Sequence, residues 1–238
     1  MATQAPPRGS LQPTEFIGAG GVGGYDAPMA LANRRLTHPF SPHYAALRAI
    51  RTRRELLTTP LYREIGPPLE ALLAAVEHDD SLAEPPALAQ PGRLRVAAWN
   101  IQRGMHFDLL LGALRDDPIL RDADVVLLVE VDNGMARSHD RHVARELAAA
   151  LRRRYAFAPS YLVLEDDFGE NPEGRPNSTA LHGAAVLSRL PLLDAENVDL
   201  PELRDKFSSS EKRLGKKRAL LCTLDVGAVA PGQPPLPV

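Results

Sequence analysis

The chain has 238 residues, of which 44% are hydrophobic and 24% charged, and its formal net charge is −2 at pH 7. This composition predicts a globular protein with a sizeable core, and it excludes a protein that binds nucleic acid through a strongly basic overall charge. The single cysteine, Cys222, excludes an internal disulfide and a zinc site of several thiolates, and because no stretch approaches the roughly 20 apolar residues needed to cross a bilayer, we expect a cytoplasmic protein.

Residues 1–27 are rich in Pro, Gly and small residues and contain no apolar run long enough for a signal peptide, so we interpret them as a flexible arm. The run GAGGVG at 18–23 matches the dinucleotide-binding pattern G-x-G-x-x-G. Such a site also needs a preceding strand, and only Phe16 and Ile17 stand there. A flexible glycine arm is therefore favoured over a nucleotide cofactor.

Residues 28–92 are helical in pattern but broken by prolines, and we expect them to pack on the domain or mediate assembly. An imperfect helical stripe runs over 43–57, and a second one runs over 69–76. Pro67 and Pro68 precede the second stripe, as expected for a helix start. The Pro-rich residues 84–92 read as a linker that closes this N-terminal extension.

From Arg93 the pattern alternates between strands and helices, which is typical of an α/β domain. Strands are predicted over 94–99, 124–129, 161–164, 184–187, 192–200 and 218–226, and helices over 107–114 and 138–154, the latter with Ser138 as N-cap. The apolar run ending at Val129 is typical of a strand buried on both faces. The chain thus divides into an extension at 1–92 and a domain at 93–238, with Cys222 buried in the core of that domain.

Two polar residues follow strands that a helix connects. Asn100 comes directly after the strand-like residues 95–99, and Glu130 comes directly after the strand-like residues 124–129. A strand–helix–strand unit brings two parallel strands side by side, so their carboxyl ends fall together at the edge where ligands bind. An amide oxygen and a carboxylate are hard oxygen ligands that suit Mg²⁺. The pair predicts a metal site at this edge.

Other roles for the same two residues remain open at this point. An Asn after a strand is also a common turn residue whose side chain bonds local backbone, which is the competing role for Asn100. A carboxylate at the end of a buried strand also finds a partner in an arginine, which for Glu130 means Arg103 or Arg137.

Three segments in order resemble the endonuclease/exonuclease/phosphatase superfamily, over about residues 93–226. They are WNI at 99–101, VEVD at 129–132 and HGAAVLSR at 182–189. The resemblance implies a four-layer α/β/β/α sandwich of two face-to-face sheets with helices outside. It also implies a metal-dependent phosphodiesterase or phosphomonoesterase, in which Glu130 is the principal ligand of Mg²⁺ (or Mn²⁺) and Asn100 helps to place the ion.

Asp132, Arg137 and His182 are further site candidates, assigned to substrate binding. Arg137 follows Glu130 by a short loop, so it either pairs with Glu130 or meets a substrate phosphate. His182 can donate a hydrogen bond to a phosphate, although a His before a glycine is also a common turn or surface residue. The segment departs from the family at Ala184, where Asn is frequent, and this puts the role of that Asn in doubt.

Two later motifs of the family, Gly-Asp-x-Asn and Ser-Asp-His, do not occur in the sequence. In the family they orient the attacking water and grip the phosphate. We therefore expect the chain to be the N-terminal half of such a domain, a partial sandwich that is nearly or fully inactive and poorly soluble. The alternative is a non-catalytic binding or scaffold remnant of the family.

The substrate class stays open, because specificity in this family lies in loops. A nucleic acid, a phospholipid headgroup and a small phosphate ester all fit, and no protein partner is predicted. The loop at 204–218 carries seven basic residues and could contact a phosphate backbone, but a solvated hairpin loop is favoured. The acidic loop at 165–173 lacks the spacing of a calcium loop and is read as solvated.

Overall fold

The structure, a computed structural model, describes residues 31–81, 83–165, 171 and 174–238. The helices are α1 Tyr44–Ala49, α2 Arg53–Leu56, α3 Pro60–Ala74, α4 Phe107–Asp116, α5 Pro118–Arg121 and α6 Val143–Leu151. The strands are β1 Glu77–Asp79, β2 Val96–Arg103, β3 Val125–Asn133, β4 Arg154–Val163, β5 Leu181–Ser188, β6 Leu192–Asp199, β7 Arg213–Gly215, β8 Arg218–Leu224 and β9 Leu236–Pro237. The flexible arm and the glycine run assigned to 1–27 lie outside the described residues, as does most of the acidic loop.

The strands form a large and a small sheet. The large sheet has the order β1-β4-β5-β3-β2, with β7 added along β4, and the small sheet has the order β6-β8-β9. β2 and β3 are parallel and are joined through α4 and α5, whereas the other strand pairs are antiparallel. The predicted strand–helix–strand unit is confirmed, and the carboxyl ends of β2 and β3 lie side by side.

Two apolar cores define the layers. Helix residues such as Leu69, Leu114 and Leu147 pack with one face of the large sheet. The opposite face of that sheet meets the small sheet through Val186 on one side and Cys222 on the other. A layer of helices, a large sheet and a small sheet therefore stack in order, which confirms the mixed α/β prediction with a multi-strand sheet flanked by helices.

The alternation along β8 buries Cys222 between the sheets, as predicted. Cys222 is 2% exposed, and burial raises the pKa of its thiol to about 12. The large sheet is less covered near its β2 edge. Val96 on the edge strand β2 is 49% exposed, and Val129 on the neighbouring strand β3 is 48% exposed.

Several helices begin or end at residues other than those predicted, because of helix caps and prolines. α3 begins at Pro60, not at the Pro67-Pro68 pair, because the Thr59 side chain accepts a hydrogen bond from the Tyr62 backbone N–H and Pro60 fits the first turn. Both later prolines lie inside this helix. The stripe at 43–57 is split into α1 and α2 because the backbone is extended at Ile50.

The prediction of one helix over 138–154 with Ser138 as its N-cap is wrong. The Ser138 hydroxyl donates to the carbonyl of Met135 in a short 3-10 turn, and the His142 ring caps α6 by accepting from the Arg145 N–H. α6 ends at Leu151, where Arg152 takes a left-handed conformation that terminates the helix.

Part of the N-terminal region joins the sheet. β1 pairs antiparallel with β4, and α3 packs against the same strand. β1 was not predicted, because its three residues, Glu77, His78 and Asp79, are polar and yet all buried. Among the described residues, no helix combines the length and apolar character needed to cross a bilayer.

Candidate active site

Asn100 and Glu130 lie on neighbouring strands, where both strands depart from regular pairing. Asn100 is opposite Val129 in the parallel ladder, and Glu130 is the next residue of β3. The register of β2 with β3 shifts between Asn100 and Arg103 of β2, and the register of β3 with β5 shifts between Val129 and Val131 of β3. The paired irregularities mark the carboxyl end of the two strands.

The backbone at these irregularities adopts the left-handed conformation, which residues other than glycine rarely take. Gln102, Arg103 and Glu130 have φ angles of 51°, 68° and 57°. None of them is Gly, Asn or Asp, the residues that tolerate the left-handed region best. Left-handed non-glycine residues at bulges concentrate at functional sites, where they redirect a side chain out of the regular alternation.

The two predicted metal ligands differ in their local contacts. Asn100 is exposed, and its Oδ1 accepts a hydrogen bond from the Gln102 N–H at 3.0 Å, so the turn role is present. Glu130 is partly exposed. Within the described residues its carboxylate makes no hydrogen bond and no ion pair, so the alternative of a salt bridge to Arg103 or Arg137 is not formed.

A buried ion-pair network begins at Asp132, two residues after Glu130 on β3. Asp132 is fully buried, and Arg137 donates to both of its carboxylate oxygens, at 2.7 Å from Nε and 3.0 Å from Nη2. The His182 Nδ1 lies 2.7 Å from the same carboxylate, because the β3–β5 register places Asp132 opposite His182. The structure thus brings together the three residues predicted for substrate binding.

The contact with Asp132 sets the chemistry of the His182 ring. With a carboxylate at Nδ1, that nitrogen carries the proton and donates it, which leaves Nε2 as the acceptor of the neutral imidazole. Nε2 has no partner among the described residues and is not one of their buried, unpartnered atoms, so solvent reaches it. This oriented imidazole can accept a proton or, when protonated, donate to an oxyanion.

Glu211 completes the network, although the sequence did not indicate it as a site residue. The Arg137 Nη1 lies 2.5 Å from one of its oxygens, Arg213 forms an ion pair with the other, and Arg103 approaches to 4.0 Å. The one signal for Glu211 in the sequence is an acidic residue inside a basic run, a pattern that favours a solvated loop. That assignment is wrong for this part of the loop, because Glu211 is 7% exposed and β7 pairs with β4.

Burial by itself would raise the pKa of Glu211, but hydrogen bonds and charge from Arg213 and Arg137 outweigh it and lower the pKa to about 2. A carboxyl whose pKa is depressed by folding stabilises the protein above its unfolded pKa of about 4.3, and this stabilisation is lost as the pH falls towards 2. We therefore expect Glu211→Gln to flatten the decline in stability between pH 4.5 and 2.

Urea unfolding at a series of pH values measures this effect. The exposed Glu196→Gln on β6 is the matched control, and its pH profile should follow that of the wild type. Parallel declines for wild type and Glu211→Gln would contradict the assignment of Glu211 to the network.

The residues present fit a metal ion with few protein ligands. Among the described residues, no group of three or more His, Cys, Asp or Glu side chains is placed to hold a metal ion. Mg²⁺ does not need such a group, since it usually keeps several waters and is bound through one or two carboxylates plus substrate phosphates. Glu130, whose carboxylate has no partner within the described ranges, and Asn100 on the neighbouring strand are a donor set of the kind that such a Mg²⁺ site needs.

No protein-family model matches the chain, and no curated protein matches it. Among solved structures, the chain is similar to a crystal structure of an endonuclease/exonuclease/phosphatase from Beutenbergia cavernae, with 22% sequence identity and a TM-score of 0.41. The match covers 60% of this chain and 36% of that chain, so the chain spans little more than a third of the length of that protein.

Proposed function

We propose that the chain carries the metal-side half of a metal-dependent phosphoester hydrolase site of the endonuclease/exonuclease/phosphatase type. Glu130 and Asn100 would hold Mg²⁺ or Mn²⁺, and the His182 ring would face the phosphate. The observation that carries the proposal is the Glu130 carboxylate, which has no partner among the described residues and stands at a paired irregularity with left-handed backbone. A partly desolvated carboxylate without a partner is costly, and a cation removes that cost.

When bound, the metal ion would neutralise charge that develops on a phosphoryl oxygen. Of Asp132, Arg137 and His182, we assign the substrate contact to His182, since its Nε2 reaches solvent. Asp132 is fully buried and the Arg137 side chain is 4% exposed, so we assign these two the role of holding His182 in one tautomer and orientation. This refines their expected role in substrate binding to a positioning role.

The proposal extends to substrate, location and completeness. The substrate is a phosphodiester or phosphomonoester from the classes of nucleic acid, phospholipid headgroup or small molecule, and the proposed location is the cytoplasm. Because neither Gly-Asp-x-Asn nor Ser-Asp-His occurs in the sequence, we propose that the 238-residue chain lacks the further groups that would have to act with His182 to activate water and grip the phosphate.

Hydrolysis of bis(4-nitrophenyl) phosphate and 4-nitrophenyl phosphate in Mg²⁺ tests this proposal on the purified chain. We expect no turnover above the rate of the buffer with Mg²⁺, because the metal side alone does not supply an activated water. Mg²⁺-dependent turnover that Glu130→Gln abolishes would contradict the proposed incompleteness, while it would support the metal role of Glu130.

The alternative is a non-catalytic binding or scaffold member of the same family. It is favoured by the observation that no cluster of three metal-ligating side chains occurs within the described ranges. Binding of Mn²⁺ to the chain discriminates between the two, since a scaffold member has no need of a metal ion at Glu130.

A further inference from the structure

The segment at residues 177–180 leads into β5 and is bonded to the turn that follows β3. The backbone N–H groups of Ser178 and Ala180 both donate to the carbonyl of Gly134, at 3.0 Å and 3.1 Å. His182 follows this segment directly after one further residue. A single carbonyl group therefore joins the segment before His182 to the turn after β3.

The segment and the turn are also in close contact. A Cβ built at Gly134 would lie 2.6 Å from the backbone nitrogen of Thr179, a distance that real Cβ atoms essentially never show. The Oδ1 of Asn177 accepts a hydrogen bond from the N–H of Ala136 at 2.9 Å, next to Arg137. The segment is therefore fixed against the same turn that carries Arg137.

The backbone of this segment is strained. Ala180 has a φ angle of 57°, in the left-handed region that alanine rarely adopts, and it is 0% exposed. Its carbonyl accepts a hydrogen bond from the Val163 N–H at 2.8 Å. A left-handed residue other than glycine persists only when the surrounding structure holds it in place. The conformation of the segment therefore depends on contacts from other parts of the chain.

The N-terminal extension supplies two such contacts. The His38 Nδ1 accepts from the Phe40 N–H at 3.2 Å, so its Nε2 carries the proton and donates to the Thr179 carbonyl at 2.7 Å. Tyr44 is 4% exposed, and its hydroxyl lies 3.2 Å and 3.3 Å from the carbonyl oxygens of Ser178 and Thr179. Two side chains of the extension thus converge on two consecutive carbonyl groups of the segment.

We propose that His38 and Tyr44 are positioning residues for the His182 side of the candidate active site. They hold residues 177–180 in the strained conformation from which β5 begins, and so fix the His182 ring in its contact with Asp132. This gives the N-terminal extension a role in the site, beyond packing on the domain. The inference rests on the proposed contact between His182 and the substrate phosphate.

Amide hydrogen exchange measures this positioning. The test variants are His38→Ala and Tyr44→Phe, of which the second removes only the hydroxyl group. In both variants the Ser178 and Ala180 amides should exchange about tenfold faster, relative to the amides at 126–128 in β3, because the segment opens locally while the sheet stays closed. Equal acceleration of both sets of amides would overturn the proposal, since it would show that the extension only stabilises the fold as a whole.

The His182 ring supplies a second readout, which a general loss of stability does not change. Its ¹⁵N NMR signals in the wild type should report a protonated Nδ1 bonded to Asp132, and His38→Ala should add signals of the other tautomer. His38→Gln should restore the wild-type spectrum, because a glutamine amide can donate to the Thr179 carbonyl. His43→Ala is the matched control and should leave the spectrum unchanged, since the His43 ring makes no hydrogen bond within the described residues.

Mn²⁺ binding keeps this inference distinguishable from the proposed function. His38→Ala should bind Mn²⁺ like the wild type, because Glu130 lies outside the segment that the extension holds. A wild type that does not bind Mn²⁺ would contradict the proposed function without altering the exchange result. An unchanged His182 spectrum in both His38→Ala and Tyr44→Phe would overturn the positioning role.

Discussion

Replacing Asp132 by alanine is expected to lower the free energy of unfolding by about 3–5 kcal/mol. The substitution removes the carboxylate that two Arg137 nitrogens and the His182 ring contact in a fully buried position. The guanidinium of Arg137 then stays buried with only part of its negative surroundings, and the cost of that uncompensated charge dominates the effect. Chemical denaturation with guanidinium chloride measures it.

The matched control is Asp116→Ala on α4, which removes the carboxylate of an exposed arginine pair with Arg115. Solvent screens such a pair, so the control should leave the denaturation midpoint unchanged. An Asp132→Ala protein as stable as the Asp116→Ala protein would show that the buried network is not a determinant of stability.

Replacing Gly183 by alanine is the second change with a large expected effect, a loss of about 3 kcal/mol or more. A methyl group at Gly183 would overlap the carbonyl oxygen of Ala158 and lie 2.8 Å from the Cα of Pro159, so backbone would have to move. The strands β4 and β5 approach closely here, next to a register shift in β4. Because His182 is the adjacent residue, the same change should disturb its contact with Asp132.

Gly112→Ala provides a control of opposite sign. Apart from the neighbouring backbone of α4 itself, no atom of the described residues lies within 4 Å of a Cβ built at Gly112, so the substitution meets open space. Alanine in a helix interior is favoured over glycine by roughly 0.5–1 kcal/mol, and the protein should gain stability. Thermal unfolding of the two variants, together with the His182 imidazole signals in ¹⁵N NMR spectra, tests both statements. A Gly183→Ala protein with wild-type stability and an unchanged His182 spectrum would refute the close-approach argument.

The sequence predicted that Asn100 and Glu130 lie on neighbouring parallel strands, because that placement follows from local patterns. Apolar runs that end in Asn100 and Glu130 and enclose a helix define a parallel unit, and its geometry follows from chain connectivity. The burial of Cys222 also follows from a local pattern, since Cys222 and Leu224 are two residues apart on β8 and therefore lie on the same, buried face of the strand. These features need no knowledge of distant residues.

The remaining parts of the site depend on long-range pairing. The contact between His182 and Asp132 requires the register of two strands separated by 50 positions in the chain. Glu211 was hidden in a run of basic residues, and its partner Arg137 lies 74 positions away. Charge composition along the chain does not distinguish a solvated loop from one that returns to the sheet.

Backbone strain at the site was also not predictable. Gln102, Arg103 and Glu130 give no sign of a left-handed conformation, which Gly or Asn would have indicated. The left-handed residues coincide with register shifts of β2 against β3 and of β3 against β5, and such shifts are a property of the assembled sheet. The local sequence therefore predicted the neighbouring positions of Asn100 and Glu130 but not the left-handed backbone at Glu130.

Binding of Mn²⁺, followed by electron paramagnetic resonance on the wild type and on Glu130→Gln, tests the metal site most directly. We predict one site in the wild type and an affinity lower by at least about tenfold in Glu130→Gln, on the order of 1.4 kcal/mol or more. Asn100→Ala should weaken binding less, because an amide contributes less than a carboxylate, and the exposed Glu196→Gln should bind like the wild type. Equal Mn²⁺ affinity in the wild type and in Glu130→Gln would contradict the assignment.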